Sequence, residues 1–271
     1  MSTHNTIRRI TTQTIRDMKS KGEKISMLTA YDYSMARVLD EAGVEVLLVG
    51  DSAANVMSGY ETTIPITLEE MMFFASAVVR GTKRALVIVD LPFGTYQGDS
   101  DGALKAAVKV MKQTGAHALK LEGGIEMRDT IARIVNAGIP VMGHLGLTPQ
   151  SIYQFGTYTV RAKDEAEAAK LRSDALALQE AGCFGLVMEK IPAALAKEVT
   201  ESLRIPTIGI GAGAGCDGQV LVVNDMLGLT KGFKPRFLRQ YLHLYEDIQG
   251  AAKQYVADVK GGQFPNESEQ Y

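Results

Sequence analysis

Acidic side chains end several short apolar stretches of this 271-residue chain. Asp51 follows VLLVG, Asp90 follows ALVIV and Glu122 follows ALKL, so three successive apolar runs stop at a carboxylate. A carboxylate beside an apolar core is costly unless a cation, a hydrogen-bond donor or water compensates it. Oxygen ligands of this kind suit Mg²⁺, which prefers carboxylates and water to nitrogen or sulfur. The three positions therefore predict a Mg²⁺ site, provided that the fold brings the ends of these runs together.

Two nitrogen-bearing side chains occupy comparable positions. Lys120 precedes Glu122 by two residues, and strand alternation would place both side chains on one face. A buried lysine needs an anion, either a substrate carboxylate or an ion pair with Glu122 or Asp90. His144 in VMGHLGLTP is a candidate for metal ligation, for donation to a substrate or for a buried structural role, and the residue alone favours the structural role.

Glu189, at the end of the run GLVME, is our candidate for a general base. Burial at this position would raise the pKa of the carboxyl group and make its carboxylate a stronger base. The alternative is a salt bridge to a neighbouring loop lysine such as Lys190. The run therefore predicts either a catalytic carboxylate or an ordinary ion pair.

The apolar runs alternate with longer segments of helical periodicity, which is typical of successive βα units around a parallel sheet. We predict eight strands, at ISMLT from Ile25, VEVLLVG from Val44, ALVIVD from Ala85, HALKLE from His117, PVMGHL from Pro140, FGLVME from Phe184, PTIGIG from Pro206 and QVLVV from Gln219. We predict helices between them at 34–42, 67–80, 102–114, 126–137, 164–181 and 192–203. A stripe of apolar residues within 235–259 predicts a last helix, and a polar tail follows it.

Eight strands without a linker or a change of composition favour a single (β/α)₈ TIM barrel over residues 1–271, with an N-terminal helix and a C-terminal helix and tail. A doubly wound open sheet is the alternative. In such a barrel the carboxyl ends of the strands converge on one mouth, so the charged residues at those ends meet. Strands also end in Asp or Glu simply because loops begin there, which explains any single residue better than it explains the set.

The composition restricts the class of protein. Hydrophobic residues make up 46% and charged residues 22% of the chain, and the formal net charge of −2 indicates no nucleic-acid partner. Cys183 and Cys216 lack C-x-x-C spacing, so we expect free thiols in a reducing cytosol. Because the sequence shows neither a signal-peptide pattern nor an apolar run of membrane-spanning length, we expect a cytoplasmic protein without a membrane partner.

Nine segments distributed along nearly the whole chain resemble those of one known family in their order and spacing. They are TAYDYSMA, LLVGDS, GYETTIPIT, VDLPFGTY, LKLEGG, PVMGHLGLTPQS, RSDALALQEAG, IPTIGIGAG and DGQVLVVNDMLG. The family is ketopantoate hydroxymethyltransferase. One departure is that Ala53 and Ala54 follow GDS, where the family usually has a Leu-Gly pair.

This resemblance implies a barrel of the phosphoenolpyruvate/pyruvate superfamily, assembled as a homo-oligomer that is decameric in the family. It implies transfer of a hydroxymethyl group from 5,10-methylenetetrahydrofolate, the folate co-substrate, to the ketoacid 3-methyl-2-oxobutanoate. The product is ketopantoate, an intermediate of pantothenate and coenzyme A synthesis. The implied cofactor is Mg²⁺, with Co²⁺ and Mn²⁺ as alternatives, and it would stabilise an enolate of the ketoacid.

The resemblance also assigns roles to residues of this sequence. Asp51 and Asp90 match the Mg²⁺ ligands, Glu122 matches a glutamate in the surroundings of the metal, and Glu189 matches the proton acceptor. We accordingly expect the ketoacid to be held by Asp51, Ser52, Asp90, Lys120 and His144. The residues that bind the folate are not implied by the resemblance.

Two other functions agree with a barrel of this type. One is a superfamily lyase or mutase acting on a related ketoacid, which is disfavoured because the sequence has no K-K-C-G-H type of cysteine loop. The other is a barrel that binds a ketoacid without catalysis, which is disfavoured because every acidic strand end and Lys120 are present.

Overall fold

A closed barrel of parallel strands forms the core of the molecule. The computed structural model describes residues 8–271, and in that part of the chain eight strands pair in sequence order, with β8 returning to β1. They are β1 (Ile25–Thr29), β2 (Val46–Val49), β3 (Leu86–Asp90), β4 (Ala118–Glu122), β5 (Val141–Gly146), β6 (Gly185–Glu189), β7 (Thr207–Ile210) and β8 (Gly218–Leu221). The predicted (β/α)₈ barrel is confirmed, and the open-sheet alternative is wrong.

Helices connect the strands, and several begin at a residue that caps them. At the start of α4, Thr67 accepts a hydrogen bond from the backbone N–H of Glu70, and the Glu70 side chain accepts one from the backbone of Thr67. Asp164 caps α8 by accepting from the N–H of Glu167. The α-helices of residues 8–222 are α1 (Thr12–Lys21), α2 (Tyr33–Glu41), α3 (Ala53–Val56), α4 (Leu68–Gly81), α5 (Ser100–Thr114), α6 (Arg128–Asn136), α7 (Ile152–Phe155), α8 (Glu165–Glu180) and α9 (Ala193–Ser202).

The interior of the barrel is filled with apolar side chains over much of its length. Parallel strands covered by helices are buried on both faces, and all four residues of β2 are accordingly buried. Helix α1 contributes Ile15 to the same core. The apolar layer, as we call this cluster, consists of Ile15, Ile25, Met27, Val46, Leu48, Leu86, Ile88, Ala118, Met142, Phe184, Val187, Ile208 and Val220.

The chain divides into two compact units, the first ending at Val222 and the second running from Val223 to Tyr271. The second unit contains α10 (Val223–Met226), α11 (Leu244–Lys260) and a short 3₁₀ turn at Glu267–Glu269. The predicted last helix exists, but residues 235–243 are not part of it. Their backbone instead makes turns, in which Leu238 N–H donates to Pro235 and Tyr241 N–H donates to Met226.

The prediction of one domain covered residues 1–271, of which residues 1–7 lie outside the described part of the chain. Within residues 8–271 no helix combines the length and the apolar character that crossing a bilayer requires.

Candidate active site

Strand alternation directs the charged residues of β3 and β4 into the barrel. Ile88 belongs to the apolar layer, and Asp90 follows it by two residues on β3. On β4, Ala118 of the apolar layer is followed by Lys120 and Glu122 at the same spacing. Because side chains two apart on a strand share a face, these three charged groups lie inside the barrel at the carboxyl ends of the strands.

Asp90 and Lys120 form a buried ion pair. The two residues are partners across β3 and β4, and Lys120 Nζ lies 2.8 Å from Asp90 Oδ1. Glu122 Oε1 is farther away, 4.0 Å from the same nitrogen, so Asp90 is the closer of the two partners that the sequence offered. Burial lowers the pKa of Lys120, but the carboxylates of Asp90, Glu122 and Asp51 outweigh it and hold that pKa above its usual range. Lys120 is therefore a cation in the folded protein.

His144 lies between two carboxylates. Its Nδ1 is 3.1 Å from Glu122 Oε1, and its Nε2 is 3.5 Å from Glu189 Oε2. Burial and the nearby Lys120 lower the pKa of His144, whereas Glu122 and Glu189 raise it, and the net result is a pKa of about 9. Burial raises the pKa of Glu122, but His144, Lys120 and the backbone N–H of Gln150 together outweigh it and lower that pKa. The imidazole thus connects Glu122 of β4 to Glu189 of β6.

Asp51 adjoins Asp90 at the same end of the barrel. Its backbone N–H donates to Asp90 Oδ2 at 3.0 Å, so the two acidic residues meet as the sequence predicted. Burial raises the pKa of Asp51 to about 8, and the charges of Asp90 and Glu122 add to the increase. Gly50 lies in the turn that carries Asp51, and a Cβ at that position would lie only 2.8 Å from Ser52 Oγ, so a larger residue would require the serine side chain to move.

Ser52 and the Ala-Ala pair follow directly after Asp51. Ser52 Oγ and the Tyr31 hydroxyl are 2.8 Å apart, and the serine lies beside the site because it directly follows Asp51. Ala53 and Ala54 begin α3 and are completely buried. The departure from the Leu-Gly pattern therefore places two small side chains in a closely packed turn.

Glu189 is the most accessible acidic group of the site. Its side chain is 18% exposed, whereas that of Glu122 is 3% exposed. The backbone carbonyl of Glu189 accepts from Leu147 N–H at 2.9 Å, and a Cβ on Gly146 would lie 2.3 Å from that carbonyl. Glycine at 146 therefore allows β5 and β6 to approach closely, and this contact fixes the end of β6 from which Glu189 extends.

The composition of the cluster fits a divalent cation. Asp51, Asp90 and Glu122 bring three carboxylates, and Lys120 and His144 supply the buried cations, so Asp51 remains without a cationic partner of its own. Within residues 8–271 no group of three or more His, Cys, Asp or Glu side chains is arranged so that it could hold a metal ion by itself. Mg²⁺ does not require one, since it binds through one or two carboxylates and keeps water or substrate oxygens. The set of three predicted ligands stays a prediction.

Gln150 was missed by the sequence reasoning. It lies in the short 3₁₀ turn Pro149–Ser151 after β5, and its side-chain Nε2 donates to Asp51 Oδ2 at 2.9 Å. Its backbone N–H donates to Glu122 Oε2 at 2.9 Å. The only signal was its place in PVMGHLGLTPQS, because a neutral side chain in a loop has none of the charge that marked the other positions.

Comparison with known proteins identifies close relatives over almost the full length. A family model described as ketopantoate hydroxymethyltransferase matches residues 9–267. The 3-methyl-2-oxobutanoate hydroxymethyltransferase of Flavobacterium johnsoniae is 64% identical over 264 residues, covering 97% of this chain and 97% of that protein. The protein of the same name from Cytophaga hutchinsonii is 62% identical over 265 residues, covering 98% of this chain and 97% of its own.

Solved structures with a similar fold are more distant in sequence. A phosphoenolpyruvate phosphomutase from Streptomyces platensis subsp. rosaceus has a TM-score of 0.63 at 12% identity, over 93% of this chain and 88% of that one. A 2,3-dimethylmalate lyase, described as a member of the PEP mutase/isocitrate lyase superfamily, has a TM-score of 0.56 at 17% identity, over 92% and 98%. At these identities the similarity shows the barrel fold and nothing about the reaction.

Proposed function

This chain belongs to the ketopantoate hydroxymethyltransferase family of transferase enzymes, and we propose that it converts 3-methyl-2-oxobutanoate to ketopantoate with 5,10-methylenetetrahydrofolate as the one-carbon donor. The observation that carries the proposal is the buried contact between Asp51 and Asp90 beside the Lys120 cation. A 2-oxo acid presents a carboxylate and a ketone oxygen. The Lys120 cation suits the substrate carboxylate, and the carboxylates of Asp51 and Asp90 suit a divalent ion near the ketone oxygen.

The ketoacid carboxylate would bind at Lys120. That amine is buried and charged, and a charge-assisted hydrogen bond in such a place is stronger than one in water. Ser52 Oγ, which can donate or accept, would complete the contact from the neighbouring turn. Together these groups would orient the substrate so that its C3 hydrogen faces Glu189.

Asp51 and Asp90, with Glu122 beside them, would hold a Mg²⁺ ion that, when bound, offsets the negative charge developing on the ketone oxygen as an enolate forms. Glu189 would take the C3 proton, and its partial exposure leaves room for that proton to pass to solvent. His144, 3.5 Å from Glu189, would hold the carboxylate of the base in place. Glu122 would in turn orient His144 through Nδ1.

The carbon nucleophile would then attack the one-carbon unit carried by the folate. A carbon–carbon bond forms at C3, both bonds from the methylene carbon to the folate nitrogens break, and one water molecule supplies the hydroxyl group of the product. The proton lost from C3 and the remaining proton of the water end on the two folate nitrogens. The balance is one ketoacid, one methylenetetrahydrofolate and one water giving one ketopantoate and one tetrahydrofolate. We place this reaction in the cytoplasm, in pantothenate synthesis.

A test of the proposal is the reaction of the purified protein with both substrates and Mg²⁺, followed by mass spectrometry of the products. We expect ketopantoate and tetrahydrofolate in equal amounts, and no ketopantoate when either substrate is left out. Absence of ketopantoate with all components present would reject the function and leave the ketoacid-binding barrel as the alternative.

We also propose that the enzyme is a homo-oligomer, a decamer by its resemblance to the family. Sedimentation velocity at micromolar concentration tests this directly. A single species with the mass of one 29.3 kDa chain would contradict it.

A further inference from the structure

Gln150 is a neutral side chain held in one orientation beside the buried carboxylates. Its Nε2 donates to Asp51 Oδ2 at 2.9 Å and to the Leu91 carbonyl at 3.0 Å. Its Oε1 accepts from the Tyr96 hydroxyl at 2.7 Å and from Gln97 Nε2 at 3.0 Å. Both amide hydrogens and the amide oxygen are therefore used, and rotating the amide by 180° would place donors against donors.

A closed series of hydrogen bonds joins Gln150 to the end of β4. The backbone N–H of Glu122 donates to the Tyr96 hydroxyl at 3.0 Å, and that hydroxyl donates to Gln150 Oε1. The backbone N–H of Gln150 donates back to the Glu122 carboxylate at 2.9 Å. Tyr96 is 1% exposed and Gln150 is 5% exposed, so water does not compete for these bonds.

Asp51 and Asp90 are restrained by different kinds of group. Asp90 is paired with the Lys120 cation, whereas Asp51 receives its side-chain hydrogen bond from a neutral amide. A cation at Asp51 would compete with a metal ion for the carboxylate, but an amide adds no charge. Because Gln150 occupies Oδ2, it leaves Oδ1 of the same carboxylate for another ligand.

We infer that Gln150 is a positioning residue of the metal site, which holds the Asp51 and Glu122 carboxylates in the arrangement that binds a divalent cation. Tyr96 acts one step farther out by fixing the amide of Gln150. This inference rests on the proposed role of Asp51 as a metal ligand. Gln150 and Tyr96, two uncharged residues, would thereby contribute to metal binding.

The test is the affinity of the protein for Mn²⁺, measured by electron paramagnetic resonance without ketoacid or folate. Gln150→Met keeps the length of the side chain and removes its hydrogen bonds, and we expect Mn²⁺ to bind about tenfold to a hundredfold more weakly. Tyr96→Phe removes only the hydroxyl, and we expect a weakening of about threefold to tenfold, equivalent to one neutral hydrogen bond. Gln154→Met, on the exposed side of α7, is the matched control and should bind Mn²⁺ as the wild type does.

A second readout separates positioning from a general loss of structure. If Gln150 acts through metal affinity, a large excess of Mn²⁺ should restore most of kcat in Gln150→Met. An inactive variant that binds Mn²⁺ normally, or one whose kcat does not recover at saturating Mn²⁺, would overturn the inference. Should Gln150→Met fail to fold, Tyr96→Phe decides, and unchanged Mn²⁺ affinity in that variant would overturn it.

The outcomes also distinguish this inference from the proposed function. A wild-type protein that binds no Mn²⁺ would overturn the role of Gln150, and formation of ketopantoate would still decide the function. A wild type that binds Mn²⁺ but forms no ketopantoate would reject only the function. An active wild type with unchanged affinity in Gln150→Met would reject only the role of Gln150.

Discussion

The barrel interior has an apolar layer and a charged layer, and the same strands build both. We define the charged layer as Asp90, Lys120, Glu122 and His144. On three successive strands an apolar residue is followed two positions later by a charged or polar one, in the pairs Ile88 and Asp90, Ala118 and Lys120, and Met142 and His144. Whether a side chain packs in the core or belongs to the candidate active site therefore depends more on its position along a strand than on which strand carries it.

The two layers are equally buried but contribute differently to the stability of the fold. Ile88 is 0% exposed and Asp90 is 2% exposed, so burial does not distinguish them. Burying an apolar side chain such as Ile88 stabilises the fold by about 1.5–3 kcal/mol. Burying a carboxylate costs several kcal/mol unless partners such as Lys120 compensate it. The charged layer therefore adds little to the stability of the fold, and the apolar layer beneath it supplies most of the stabilisation.

Removing Asp90 should have the largest effect on activity. Asp90→Ala takes away a proposed metal ligand, the partner of Lys120 and the acceptor for Asp51 N–H. Metal-ion stabilisation is worth several kcal/mol, and each 1.36 kcal/mol is a factor of ten, so we expect kcat/KM to fall by about 10⁴-fold. Ketoacid binding, measured by calorimetry, should weaken as well.

Asp101→Ala is the matched control, because Asp101 is an exposed acidic residue paired with Arg133 on the barrel exterior. Its kcat/KM should equal that of the wild type. Normal activity of Asp90→Ala without added Mg²⁺ would contradict the metal assignment.

Replacing Glu189 should slow proton transfer while sparing ketoacid binding. Glu189→Gln removes the proposed base but keeps the shape of the side chain, and general-base catalysis contributes about 10² to 10⁴-fold. We expect exchange of the C3 proton with solvent deuterium, followed by NMR without folate, to slow by about 10³-fold. Glu198→Gln, which changes an exposed glutamate paired with Arg172, should exchange at the wild-type rate. Undiminished exchange in Glu189→Gln would remove Glu189 from this role.

A substitution in the apolar layer should reduce stability more than activity. Ile88→Ala leaves a cavity beneath Asp90 and should lower the free energy of unfolding by about 2–5 kcal/mol, measured by urea denaturation. Val38→Ala, at a position that is 61% exposed, should change it little. The folded Ile88→Ala protein should keep most of its kcat/KM. A loss of activity as large as that of Asp90→Ala, without a loss of stability, would break the distinction between the layers.

The sequence allowed more of the apolar layer than of the charged layer to be predicted. The strands were predictable because apolar runs are local signals, and the convergence of the acidic strand ends followed from the geometry of any barrel. The preference of Lys120 for Asp90 over Glu122 was not, because it depends on the register between β3 and β4. The role of Gln150 was also hidden, since its contact with Tyr96 joins residues 54 positions apart.

We expect the smallest effect for Cys183, a buried group outside the charged layer. Cys183 is 1% exposed, and burial raises the pKa of its thiol to about 12. A thiol reacts as its thiolate, so at pH 8 Cys183 should resist iodoacetamide in the native protein and react readily in guanidinium, as mass spectrometry would show. Rapid labelling of the native protein would contradict the burial.

The same thiol should also make a small contribution to the pH dependence of stability. An unfolded thiol ionises near pH 8.5. Because the folded pKa is higher, the contribution of Cys183 is fully present below that pH and is lost as the pH rises towards 12. Cys183→Ala removes the titrating group, so its free energy of unfolding should fall less steeply than that of the wild type between about pH 9 and pH 11. Parallel curves for the two proteins would mean that the Cys183 thiol has the same pKa in the folded and the unfolded protein, which would contradict the effect of its burial.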